Sequence, residues 1–158
     1  MKKKWFFIIP IVALLIAMSP IAAYFGIVAA NNSIANRAEK ELKSYPLPED
    51  TLFLGSVSLA GKLVGNGNGM QYMGSILVIS DLTEEELYEY YSRSFGNVEV
   101  RKQESQAIDF INSSGYNFEL FGDPNHHDHY SITSWGSPEN IGLGRFTTVL
   151  LDMDLRGH

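Results

Sequence analysis

From Trp5 to Ala30 the chain runs 26 residues without a charged side chain. As a helix rising about 1.5 Å per residue, such a run exceeds the roughly 30 Å hydrocarbon core of a bilayer. The run sets the layout: a basic tip at residues 1–4, a transmembrane helix over residues 5–30, and everything after it on one side of a membrane. Basic residues stay cytoplasmic, so Lys2, Lys3 and Lys4 place the N-terminus inside and the C-terminal domain outside. Arg37, Lys40 and Lys43 follow the run but interleave with Glu39 and Glu41, which blunts the asymmetry. The competing layout is a cleaved secretory signal, with Val28-Ala29-Ala30 as the cleavage site and a secreted product. An uncleaved anchor is favoured because the apolar core of a signal peptide spans only about 7–15 residues. Pro10 and Pro20 fit either layout: they shorten the first apolar stretch to near Ser19, or they kink a spanning helix.

Setting aside Lys2 to Lys4 leaves nine of the 12 basic residues against 18 acidic ones, so the outer part carries about −9. That charge disfavours nucleic acid and suits a cation-rich envelope or a basic partner protein. Cysteine is absent, which excludes disulfides, thiol nucleophiles and thiolate metal sites.

Residues 31–48 place Ile34, Ala38, Leu42 and Tyr45 at near-helical spacing before Pro46 and Pro48 break the pattern. The segment reads as an amphipathic stalk that extends the membrane helix or docks as a first helix, or else as a plain linker. From residue 49 the outer domain begins. In "TLFLGSVSLAGKLV", Phe53, Val57, Leu59 and Leu63 recur with period two, as in a strand. "MQYMGSILVIS" is apolar on both faces, as a central strand is. "LTEEELYEYYSRSF" is the clearest helix: Thr83 and Glu86 form a capping box, Leu82 and Leu87 a hydrophobic staple, and Gly96 a natural stop. Its stripe of Leu87, Tyr90, Tyr91 and Phe95 reads as core. Strand patterns follow at "NVEVRKQ", at Tyr116, Phe118 and Leu120, at Tyr130 and Ile132, and along "RFTTVLLDMDLR". The expected fold is α+β, a mainly antiparallel sheet with one packed helix in the order β-β-α-β-β-β-β, behind the transmembrane helix.

Between the first two strands stand Asn66, Gly67, Asn68 and Gly69. Asn-Gly pairs are the strongest short-range hairpin signal, because tight turns need positive φ. A phosphate loop needs Gly-Lys-Ser/Thr leading into a helix, and a dinucleotide fingerprint also opens a helix; here a strand follows. The loop is therefore a turn, and secondarily a binding tip for a partner or glycan. The stretch "GKLVGNGNGMQYMGSILVISDLTEEELYEYY" behind an N-terminal anchor resembles small membrane-anchored extracytoplasmic proteins of Gram-positive bacteria with no assigned activity. The resemblance implies an extracytoplasmic location and supplies no mechanism.

Chemistry-bearing residues are few. In "DPNHHDHY" the imidazoles of His127 and His129 would project to one side of an extended chain and, with Asp123, offer an open three-ligand site for a transition metal. Asp123-Pro124-Asn125 is also a strong turn sequence, and the solvated-loop reading is favoured. Asp152 and Asp154 resemble paired carboxylates, but Val149, Leu151, Met153 and Leu155 take the opposite parity, which puts the acids on a strand's solvent face. No nucleophile elbow is present. Tyr130 and Trp135 form a candidate aromatic patch. The expectation is a non-enzymatic binding or interaction module of the cell envelope, with the membrane and an envelope protein or glycan as partners and no cofactor. A metal-binding protein centred on the His126–His129 loop is the alternative, and a hydrolase ranks third.

Overall fold

The computed structural model describes residues 2–63, 69–103, 128–138 and 150–154, with side chains from Ile8 onward. Its first element, α1 (Lys2–Ser44), is one helix of 43 residues with Pro10 and Pro20 inside it. Pro20 has no N–H to offer the Ile16 carbonyl one turn back, and the Ser19 hydroxyl donates to that carbonyl instead, at 2.8 Å. The helix changes character along its length. Large apolar side chains from Ile8 to Phe25 are exposed on every side, whereas Ile34, Ala35, Ala38 and Leu42 are buried. The segment beyond residue 30 thus combines the two helical placements that the sequence offers as alternatives: it continues the apolar helix and also docks on the domain.

It docks on a four-stranded antiparallel sheet, β1 (Thr51–Gly61), β2 (Gln71–Ser80), β3 (Val98–Gln103) and β4 (His129–Gly136), in the order β1-β2-β4-β3. Seven consecutive residues of β2, Tyr72 to Val78, are buried, as its double-sided apolar pattern requires. Contact between α1 and the sheet is backbone-close at Gly74. A Cβ there would lie 2.6 Å from Glu39 Cα, and nearer still to its N and to the Ala38 carbonyl carbon. Alongside, Ser56 donates to Glu39 Oε1 at 2.5 Å and Ser58 to Asn36 Oδ1 at 2.5 Å. Asn31 meets Tyr72, Glu39 meets Gly74, and Leu42 shares a cluster with Ile76 and Val78. The helix therefore runs with β2 and against β1, along the strands.

Helix α2 (Glu84–Ser92) covers the same face. Thr83 Oγ1 accepts from Glu86 N and the Glu86 carboxylate accepts from Thr83 N, the capping box that the sequence announces. Leu87 and Tyr91 are fully buried in a core with Leu42, Ile76, Val78, Val100, Tyr130 and Ile132, and Leu82, Tyr90 and Phe95 pack against it. Tyr45 at the end of α1 joins them, edge-on to Tyr90 at 5.5 Å and to Phe95 at 5.3 Å between ring centroids.

Three expectations change. A bulge between Phe53 and Gly55 shifts the β1 register, so Phe53 pairs with Val78 on the helix-covered face while Val57 pairs with Ser75 on the other. Phe53 is consequently exposed, and only Val57 and Leu59 pack with Leu63. The closing "RFTTVLLDMDLR" is not a strand where it is described. Residues 150–154 make a helical turn in which Met153 N donates to Leu150 O at 3.1 Å and Asp154 N to Leu151 O at 3.2 Å. That spacing of three buries Leu151 with Asp154 and leaves Met153 exposed, so Asp154 does not lie on a solvent face. Helix α2 ends at Ser92 with Arg93 as a right-handed cap, and not through Gly96. The strand expected at Tyr116, Phe118 and Leu120 lies outside the described residues. Among those described, α1 is followed by β-β-α-β-β.

Candidate functional site

The most organised polar group joins the base of the domain to α1. Asn31, on α1 and fully buried, points its amide nitrogen at the C-terminal turn: Nδ2 donates to Leu151 O at 3.1 Å and to Asp154 Oδ2 at 2.8 Å. Tyr72, on the central strand, donates its hydroxyl to Asn31 Oδ1 at 3.0 Å. Asp152 Oδ1 accepts from Met70 N at 2.8 Å, and Gly69 lies alongside that carboxylate. Ile34, Ala35, Met70, Tyr72 and Leu151 enclose the group in apolar contacts. Burial, with Asp152 and Asp154 nearby, pushes the Tyr72 hydroxyl up to about 12, so it remains a donor at neutral pH. With its acids committed to amide donors and its phenol protonated, the group can hold three segments together. It offers no activated nucleophile.

Of the candidate metal, loop and aromatic residues singled out in the sequence, Gly69 alone among the described ones lies against this group. Of the metal candidates, Asp123 and His127 lie outside the described residues. His129 is buried in β4 and paired opposite Ile79 and Gln103, on the face that α1 and α2 leave. Among the described residues no three His, Asp or Glu side chains converge on a metal-sized space. Asn66, Gly67 and Asn68 also lie outside; Gly69 sits against Asp152. Tyr130 and Trp135 do not form one patch. Five positions apart on a strand, they take opposite faces: Tyr130 pairs with Val78 in the helix-covered core, Trp135 with Met73 behind it. Burial, and next Asp128, raises the Tyr130 hydroxyl above its ordinary range, while a hydrogen bond from Lys102 holds the exposed Asp128 carboxyl below its own.

Behind β2 and β4 runs a buried hydroxyl row that the sequence did not single out. Thr133 Oγ1 donates to Ser75 Oγ at 3.0 Å, Ser75 to Ile132 O at 3.1 Å, and Gln103 Nε2 to Ser131 Oγ at 2.7 Å. Serine and threonine alternating along "HYSITSW" are its sequence signal. The row is sealed, because Ser75, Ser131 and Thr133 are each 1% exposed. Between α1 and the end of β4, a crevice lined by Ile34, Arg37, Ala38, Glu41 and Trp135 encloses about 30 Å³. That is far below the roughly 300 Å³ at which small-molecule sites begin, while a wider groove of about 520 Å³ along Ser33, Arg37, Lys40 and Ser44 lies open on the exposed side of α1. No family model, curated protein or solved structure matches this chain.

Proposed function

We propose that the protein is a single-pass membrane protein, N-terminus inside, whose outward α+β domain is a non-enzymatic binding module of the cell envelope. The observation that supports this most is the unbroken passage of α1 from an apolar surface into the domain core. A helix apolar on all sides needs a lipid or protein environment, and the most apolar stretch of this one has no residue buried within the molecule. Trp5 and Tyr24 stand 19 residues, about 29 Å, apart, the spacing of the aromatic belts at the two membrane surfaces. Tyr24 packs edge-on to Phe25, with centroids 6.0 Å apart. The Ser19 bond to Ile16 O fits the same setting, since an unpaired carbonyl in hydrocarbon costs several kcal/mol.

Just beyond α1 and at the start of the edge strand, Leu47, Leu52 and Phe53 are each exposed, Leu52 and Phe53 on opposite faces of the strand. These exposed apolar side chains, at the opposite end of α1 from its apolar run, are where a protein or glycan partner would meet the domain. Nothing among the described residues favours the metal reading.

The native chain has no cysteine, so single-cysteine variants report topology cleanly. In intact cells a membrane-impermeant maleimide should label Tyr88→Cys and reach Lys3→Cys only after lysis. The protein should stay with the membrane through alkaline extraction. A shortened, extractable product would instead identify a cleaved signal, and the reverse labelling pattern would invert the topology.

A further inference from the structure

The C-terminal turn carries two exposed apolar side chains, Leu150 at 38% and Met153 at 58%. Three residues apart on a helical turn, they share its outer side, while Leu151 and Asp154 share the inner side and are buried. The inner side is tied to the base of the domain, because Asn31 donates to both Leu151 O and Asp154 Oδ2. Asn31 lies six residues beyond Phe25, about 9 Å along the helix axis. The headgroup zone extends roughly 5–7 Å beyond the hydrocarbon on each side. The turn thus stands at the outer margin of that zone. Ile27 and Val28 are half-buried, whereas Phe25 and Gly26 are exposed, so protein covers the helix about one turn below Asn31 as well.

We propose that residues 150–153 are a second membrane contact, in which Leu150 and Met153 dip into the interfacial zone of the leaflet from which α1 emerges. The proposal rests on the anchor reading above. Its chemistry is apolar: the outer part of the chain carries about −9, so headgroup charge gives no attraction and added salt does not release the contact. Spanning helices tilt by about 20° on average, which brings one side of an attached domain down to the lipid. Leu150 and Met153 make the turn that side, and with α1 they fix both the height and the rotation of the domain.

The test uses the full chain in phosphatidylcholine vesicles, with nitroxide labels on Leu15→Cys, Tyr88→Cys, Leu150→Cys and Met153→Cys introduced singly. Accessibility to dissolved oxygen and to a water-soluble nickel chelate is read at each. Expected are a lipid-like signature at position 15, free chelate access at 88, and access several-fold lower at 150 and 153. Because the nitroxide is itself apolar, the methyl resonance of native Met153, assigned by its loss in Met153→Leu, is read too. It should broaden strongly with a gadolinium-chelating lipid. If position 15 is lipid-like while 150 and 153 match 88 and the Met153 methyl stays sharp, the second contact is overturned and the anchor stands. If position 15 is open to the chelate, the anchor reading fails and the second contact falls with it.

Discussion

Asn31 is a neutral side chain holding a buried carboxylate, which makes its replacement informative. Asn31→Leu removes three hydrogen bonds without changing much volume and should cost about 2–3 kcal/mol, read by near-ultraviolet melting of the full chain in detergent. Asn31→Asp sets a second carboxylate against Asp154, and two such groups bind a proton tightly between them. Its folded-state pKa is therefore raised above the unfolded value, so the variant should be most stable at acidic pH and lose stability as the pH rises to neutrality; a flat profile would mean the two groups are solvated. Tyr72 has the same sign at the other end of the scale. With its hydroxyl at about 12 against an ordinary 10, its contribution is complete below pH 10 and lost as the pH rises toward 12. Tyr72→Phe should remove that alkaline phase from a phenolate titration. None of this cluster was legible in the sequence. Asn31, Tyr72 and Asp154 are separated by 41 or more positions, and the alternation of "TVLLDMDL" points Asp154 to a solvent face. A turn of period three reuses the same letters to bury it.

Single elements were far more legible where their causes are local. The α2 capping box needs only Thr83 and Glu86. Thr83→Ala should cost about 1 kcal/mol in thermal melts. Hydrogen bonds from Thr83 hold the Glu86 carboxyl below its usual range; the stability they give is present above that range and lost as the pH falls through the lowered value. How α1 docks is not legible in the sequence, because Ile34, Ala38 and Leu42 say that a face is apolar without saying what covers it. Gly74, a glycine inside an otherwise apolar strand, was the available signal of close backbone approach. Gly74→Ala should lever α1 off the sheet and destabilise the fold by about 3 kcal/mol, beyond the ordinary penalty for glycine replacement. An unchanged melt would mean that the helix slides freely.

For the molecule as a whole, the long apolar run was the most informative feature of the sequence, and the structure adds that it leads into the core with no intervening linker. Three glycines inserted between Phe25 and Gly26 should leave membrane retention and the melting of the domain intact while abolishing its fixed orientation, read as lost fluorescence anisotropy order in aligned bilayers. The strands lie along α1, and β1, eleven residues without a charge, is an edge among the described residues. Soluble sheets guard such edges with lysine, proline or a covering loop. Two identical edges join symmetrically only with their strands antiparallel, one copy inverted relative to the other. Under the proposed anchoring, copies in one leaflet would all stand the same way up. On the proposed anchor reading, confinement to a surface would forbid two copies from pairing through this edge.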